Sequence, residues 1–252
     1  MRRLMALFAL LLLPAAAQAL DFGHPFPLTN TRYGTMPAES RLASNGAQPF
    51  LFWCANGTLR TKLHEDGVYR VGRAVMQCGE NTQDEFDVVW TGSRFMVVAI
   101  VDGELRARFL DRDAQPDGDE FPIAANVHTP RLAANNNAIL LLYRSSFALV
   151  ALPLSPRGEP LAAPQILQIA ETPSYAIASN GIGFAALAAL AATPGAVSLM
   201  QFDANGIVQG NRRLPGNATN VARYVSIASD GKNYLATWIA DDAGGTAIHV
   251  AR

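Results

Sequence analysis

Apolar residues along this chain fall into short runs separated by dipeptide turns, and the clearest instance is Arg223 to Trp238. There Val225, Ile227 and Ala228 lead into Asp230-Gly231, after which Tyr234, Leu235 and Trp238 form a second apolar run. Two strand-like runs joined by a dipeptide that tolerates positive φ predict a β-hairpin. The same arrangement recurs at Asn45-Gly46, Thr91-Gly92, Asn135-Asn136 and Asn180-Gly181, with successive spacings of 46, 44, 45 and 50 residues to the last turn. Three residues beyond each turn stand Pro49, Phe95, Ile139, Phe184 and Tyr234; four beyond stand Phe50, Met96, Leu140, Ala185 and Leu235. Recurrence at several offsets marks an internal repeat of about 45 residues.

Each unit carries a third apolar run, at Leu59 to Leu63, Leu105 to Phe109, Ala148 to Leu152, Val197 to Phe202 and Ala247 to Ala251. In four units a further turn follows, at Asp66-Gly67, Asp117-Gly118, Arg157-Gly158 and Asn205-Gly206. These turns lead to fourth strands around Val68 to Val75, Glu120 to Ile123, Ala163 to Leu167 and Ile207 to Leu214. Four antiparallel strands per repeat of this length predict an all-β chain folded as a β-propeller. The units run over about 39–83, 84–128, 129–172, 173–220 and 221–252. The fifth stops after its third strand, and Phe26 to Tyr33 is the spare segment expected to close it, giving five blades.

With the repeat in view, Ala228-Ser-Asp-Gly-Lys-Asn-Tyr-Leu235 resembles the repeat of exported bacterial β-propeller proteins, and Ala43 to Gly46 and Ala178 to Gly181 match its first half. The resemblance implies a fold and an export habit, and it implies no activity.

Composition adds a compartment. Arg2-Arg3, the apolar run Leu4 to Leu13 and Ala17-Gln18-Ala19 form the three regions of a signal peptide, with cleavage expected after Ala19 and residues 20–252 left as one domain. A ten-residue apolar run is about half of what spans a bilayer, so no membrane span is expected after cleavage. Removing this segment takes away two arginines and no acids, moving the net charge from -1 to -3. No basic field remains to hold nucleic acid phosphates. Cys54 and Cys78, an even pair in an exported chain, are expected to form a disulfide. The expected location is the periplasm or the extracellular space.

Chemistry is scarcer. Gly181-Ile-Gly183-Phe-Ala-Ala186 with Asp203 beyond it has the spacing of a dinucleotide fingerprint, but Asn180-Gly181 and Asp203 to Gly206 both fall in register as turns of the repeat. Asp111, Asp113, Asp117, Asp119 and Glu120 crowd one connection without EF-hand spacing, because Pro116 interrupts them. The cluster reads as a solvated acidic loop, and no metal or cofactor is expected. Asn56-Gly-Thr58 and Asn217-Ala-Thr219 match a glycosylation sequon, which carries meaning only in a eukaryotic source. No Gly-x-Ser-x-Gly occurs, and His24, His64, His128 and His249 are scattered over the chain.

What remains is geometric. The connections feeding the first strand of each blade open on one face, around the mouth of the central channel. They contribute Glu39, Arg41, Asp87, His128, Arg131, Glu171, Tyr175, Arg223 and Tyr224. Mixed charge with two tyrosines suits a small polar ligand, a glycan or a protein partner. The expectation is a non-catalytic binding or interaction protein using that face. The alternative is a glycoside hydrolase, which needs two carboxylates across the scissile bond, and Glu39, Asp87 and Glu171 are the acids on which it depends.

Overall fold

The computed structural model describes residues 40–65, 68–69, 72–79, 85–146, 148–169, 174–191, 193, 195–214, 222–242 and 245–252. Every regular element among them is a β-strand, in five antiparallel sheets. The first sheet holds β1 (Ser40–Ser44), β2 (Pro49–Ala55), β3 (Thr58–Glu65), β4 (Val68–Tyr69) and β5 (Arg73–Gln77). The second holds β6 (Phe86–Trp90), β7 (Phe95–Val101), β8 (Glu104–Leu110) and β9 (Phe121–Ala125). The third holds β10 (Val127–Ala134), β11 (Ile139–Ser145), β12 (Ala148–Leu154) and β13 (Gln165–Ile169). The fourth holds β14 (Tyr175–Ser179), β15 (Phe184–Ala189), β16 (Val197–Phe202) and β17 (Val208–Leu214). The fifth has three strands, β18 (Arg223–Ser229), β19 (Tyr234–Asp242) and β20 (Gly245–Ala251).

The longest apolar runs become the second strands β7, β11 and β15, which are buried on both faces. In β7, Phe95, Val97 and Ala99 pack toward the first sheet, while Met96, Val98 and Ile100 pack toward the third. Period-two alternation therefore vanishes from this stretch, as expected when neither face meets water. Four cores result, one between each successive pair of sheets. The first is aromatic, with Phe95 4.8 Å from Trp90 and 5.1 Å from Phe50, ring centroid to ring centroid. Burying each large apolar side chain contributes about 1.5–3 kcal/mol.

The first strands of successive sheets lie against one another in series, β1 on β6, β6 on β10, β10 on β14 and β14 on β18. They form the inner wall, and the propeller architecture expected from the repeat is what the sheets build.

The hairpin between the first two strands has one cause in four sheets. Asn45, Asn135, Asn180 and Asp230 each turn a side-chain oxygen back to accept the amides two and three residues on, at 2.7–3.0 Å. In the first, fourth and fifth sheets the preceding serine adds a second clamp, its hydroxyl accepting the amide of Gly46, Gly181 or Gly231. The Ser-Asn-Gly and Ser-Asp-Gly triplets are thus self-contained turns.

Two expectations are corrected. The turn matching Arg157-Gly158 and Asn205-Gly206 in the second sheet is Asp111 to Ala114 rather than Asp117-Gly118. Asp111, Ser155 and Asp203 each accept the amides two and four residues on. Ala114, Gly158 and Gly206 hold the positive φ of that turn, at 54°, 88° and 77°. An alanine in the left-handed region hides the register from any search for glycine. In the first sheet, Val68 to Val75 does not form a single fourth strand: β4 extends the β3 hairpin, and β5 alone joins the main sheet. The alanine-rich run after Gly183 is the buried strand β15, with Gly181 in the turn before it and Asp203 in the turn after β16. This leaves the apparent dinucleotide fingerprint without the helix on which phosphate binding depends.

Cys54 and Cys78 are disulfide-bonded, with Cα atoms 6.2 Å apart. The bond passes over β3, tying β2 to the end of β5. The expected signal peptide and the closing strand at 26–33 lie outside the described residues. No helix among the described residues is long and apolar enough to cross a membrane.

Candidate functional site

Arg41, Asp87 and Arg131 occupy one repeat position, four residues before the turn residues Asn45, Thr91 and Asn135. Because the inner strands lie side by side, equal position in the repeat becomes proximity in space. Arg41 Nε stands 3.3 Å from Asp87 Oδ1, and Asp87 Oδ2 accepts the Leu132 amide at 2.7 Å. Asp87 is thereby bound to the sheet on either side. Burial pushes its carboxyl above the usual carboxylate range, while the Arg131 and Arg41 guanidiniums and the amides of Leu132 and Val88 pull the other way. The same repeat position in the fourth and fifth sheets carries Ala176 and Ser226, so the charged row spans three inner strands.

A second row lies one to two residues earlier along the strands. The Tyr175 hydroxyl donates to the carbonyls of His128, at 3.3 Å, and Thr129. The Ser174 hydroxyl accepts the Val225 amide at 3.2 Å. Thr129 and Tyr224, both six residues before their turn residues, have φ of 55° and 50° at matching irregularities of the β10 and β18 ladders. A bulky residue at positive φ costs about 1–3 kcal/mol and persists only where its surroundings hold it. Tyr224 projects from its bulge with 74% of its surface exposed. Beside it Arg223 reaches Asp241, with Nη2 to Oδ2 at 3.0 Å, and Asp241 also accepts from the Thr246 hydroxyl at 2.6 Å.

The expected residues therefore divide into two groups. Arg41, Asp87 and Arg131 form one charged cluster, and Tyr175 is tied to the backbone at His128 in the adjoining row. Arg223 and Tyr224 form a separate exposed pair on β18, while Glu39 and Glu171 lie outside the described residues. Sequence reading missed Thr129, Ser174 and Asp241. Only alignment by turns could have revealed the bulges at Thr129 and Tyr224, since neither carries a glycine. Among the described residues no group of three or more His, Cys, Asp or Glu side chains could hold a metal ion.

No protein-family model and no curated protein matches the sequence. Solved structures do. Kluyveromyces lactis Hsv2, with its complete loop 6CD, superposes with a TM-score of 0.52 at 10% identity, over 86% of this chain and 59% of that one. TolB from Acinetobacter baumannii superposes at 0.50 and 11% identity, over 82% of this chain and 51% of that one. An engineered GH43 glycoside hydrolase displaying endo-xylanase and exo-arabinofuranosidase activity superposes at 0.45 and 12% identity, over 85% of this chain and 49% of that one. The chain thus spans about half to three-fifths of the length of these structures, and its likeness to Hsv2 and TolB is one of fold.

Proposed function

We propose that the chain is an exported, non-catalytic β-propeller of five blades that binds a polar ligand, a glycan or a protein partner through the face where its inner-strand connections open. The observation that carries this reading is the state of Asp87. A carboxyl group buried in the inner wall, with one oxygen at Arg41 and the other on the Leu132 amide, is engaged as a link between strands, which argues against a role as base or nucleophile. Tyr224, by contrast, presents an exposed ring on a backbone held in a strained conformation, and His128 is exposed at the matching bulge of β10. An aromatic face among hydrogen-bonding groups recognises sugars, planar ligands and peptide side chains by stacking, without any bond being made or broken.

Five blades are supported by the repeat of buried positions. Val88, Leu132 and Ile227 stand three residues before their turn residues and are buried against the preceding sheet, each at 7–8% exposure. Leu42 holds that position in the first sheet and is 72% exposed, as is Ile248 of the fifth. Approach of the first and fifth sheets would bury both. The disulfide supports an oxidising compartment.

The test is a binding screen of glycans and small polar molecules on the mature chain, run beside a glycoside hydrolysis assay. Binding that weakens about tenfold or more in Tyr224→Ala, with no turnover, is the expected result. Turnover that survives Tyr224→Ala and is abolished by Glu39→Gln or Glu171→Gln would overturn it in favour of the hydrolase.

A further inference from the structure

Sheet-to-sheet contacts follow a rule that fails at one place. The Asn45 carboxamide donates at 2.9 Å to the carbonyl of Arg112, the second residue of the Asp111 turn in the next sheet. Arg94 Nη2 donates at 3.0 Å to Pro156, the matching residue of the third sheet, and the Asn135 carboxamide donates at 3.0 Å to Ala204, the matching residue of the fourth. In each case a polar group from the first turn of one sheet meets a peptide carbonyl of the turn feeding the neighbour's fourth strand. Asn180 is the fourth member of this series, and its partner sheet has three strands among the described residues. Its side-chain oxygen closes its own turn, while its amide nitrogen has no carbonyl acceptor among the described residues.

Asn180 lines a groove of about 860 Å³ between the fourth and fifth sheets, together with Arg212, Lys232, Tyr234 and Arg252. No aspartate or glutamate side chain lines it among the described residues, and Asp230 stands within electrostatic reach of its Arg252. β20, at its edge, pairs with β19 on one side only among the described strands. Within the same interface, Trp238 Nε1 and His249 Nε2 are buried without a hydrogen-bond partner, their rings stacked with centroids 5.4 Å apart. The unanswered amide donor and the open strand edge share one origin, the fourth strand that the fifth sheet lacks among the described residues, and the groove beside them has room for a length of polypeptide backbone.

We propose that this groove is a strand-addition site for an extended acidic segment of a partner protein. The segment pairs with the free edge of β20, offers a carbonyl to the Asn180 amide, and sets its carboxylates against Arg212, Lys232 and Arg252. Charge selects the source. Residues 26–33 carry Arg32 as their one charged group, of the same sign as the groove. An acidic strand from a partner is complementary where the chain's own segment is not.

The experiment uses the full mature chain and a fluorescein-labelled decapeptide of alternating valine and glutamate, followed by anisotropy, with a valine–lysine peptide as control. Binding of the acidic peptide alone is expected, together with slowed hydrogen exchange of the β20 amides. Asn180→Asp keeps the turn oxygen and removes the donor; it and Arg212→Gln should each weaken binding about tenfold. A peptide N-methylated at alternate residues should not bind, because it cannot pair with a strand edge. Equal binding of the N-methylated peptide would overturn the proposal. So would binding that appears only after residues 20–34 are deleted, which would give the groove to the chain's own segment. Peptide-driven dissociation of a dimer would give it to a second copy and equally overturn the proposal.

Discussion

The carboxylate of Asp87 on one inner strand accepts the backbone amide of Leu132 on the next, at 2.7 Å. With Arg41 on its other side, this one side chain links three sheets where they crowd together. Asp87→Ala should cost about 1–3 kcal/mol, since it strands the buried Leu132 amide. Asp87→Asn, which keeps an acceptor for Leu132, should cost less. Urea unfolding of the two variants against the parent checks the order.

Asp87 also gives a pH dependence of unusual sign. Its folded-state pKa lies above the unfolded value near 3.8, so the folded chain holds that proton more tightly. Its contribution is full below the unfolded pKa and is lost as pH rises through the raised one. The stability of the parent minus that of Asp87→Asn should therefore fall as pH rises above the ordinary carboxylate range. A difference that rises instead would place the two arginines ahead of burial in setting the shift.

Asp230 behaves the opposite way. The amides of Asn233 and Lys232 hold its carboxyl down at about 2. Its stabilisation is present above the unfolded pKa and is lost as pH falls from there toward 2. Asp230→Asn should abolish that acid-limb component and leave the turn intact at neutral pH, because Asn45, Asn135 and Asn180 already make the same bonds. Thermal melts between about pH 2 and pH 5 make the comparison.

The Cys54–Cys78 bond closes a separation of 24 residues. Replacing both cysteines by serine should remove about 3 kcal/mol, chiefly by freeing the unfolded chain, and lower Tm by about 6–12 °C. Calorimetry of the variant beside the oxidised parent measures the loss.

Glycine is required for different reasons at different turns. A Cβ on Gly158 would lie 2.8 Å from the Phe121 ring and 3.1 Å from that of Phe109, whereas a Cβ on Gly118 meets nothing within 4 Å. Both have positive φ. Gly118→Ala should cost about 1 kcal/mol of backbone strain and Gly158→Ala about 2–4 kcal/mol, strain plus a clash that the stacked Phe109 and Phe121 must absorb. Equal losses in chemical denaturation would show that the rings yield freely.

The hairpins were legible in the sequence because each is closed by its own residues: Ser229, Asp230 and Gly231 need nothing from elsewhere. The third strands followed from that periodicity, and the cysteine pair from an even count in a chain expected to be exported. The turn at Ala114 was hidden, since its left-handed φ is held by Asp111 and by packing rather than by glycine. The mouth was half legible. Shared repeat position announced that Arg41, Asp87 and Arg131 could meet, but the bulges at Thr129 and Tyr224 arise from tertiary contacts that leave no local signature.

The Asn45 and Asn135 carboxamides each spend one end on their own turn and the other on the adjoining sheet. At Asp230 the residue that closes the turn equally well has no donor to offer. Units of this chain are therefore not interchangeable copies. An additional unit grafted after the third would meet a carboxamide able to greet it, while one grafted after the fifth would place a peptide carbonyl against a carboxylate. Lengthening the array by gene duplication is open in its interior, and beyond Asp230 it needs a donor from another residue of the turn, as Arg94 supplies in the second sheet.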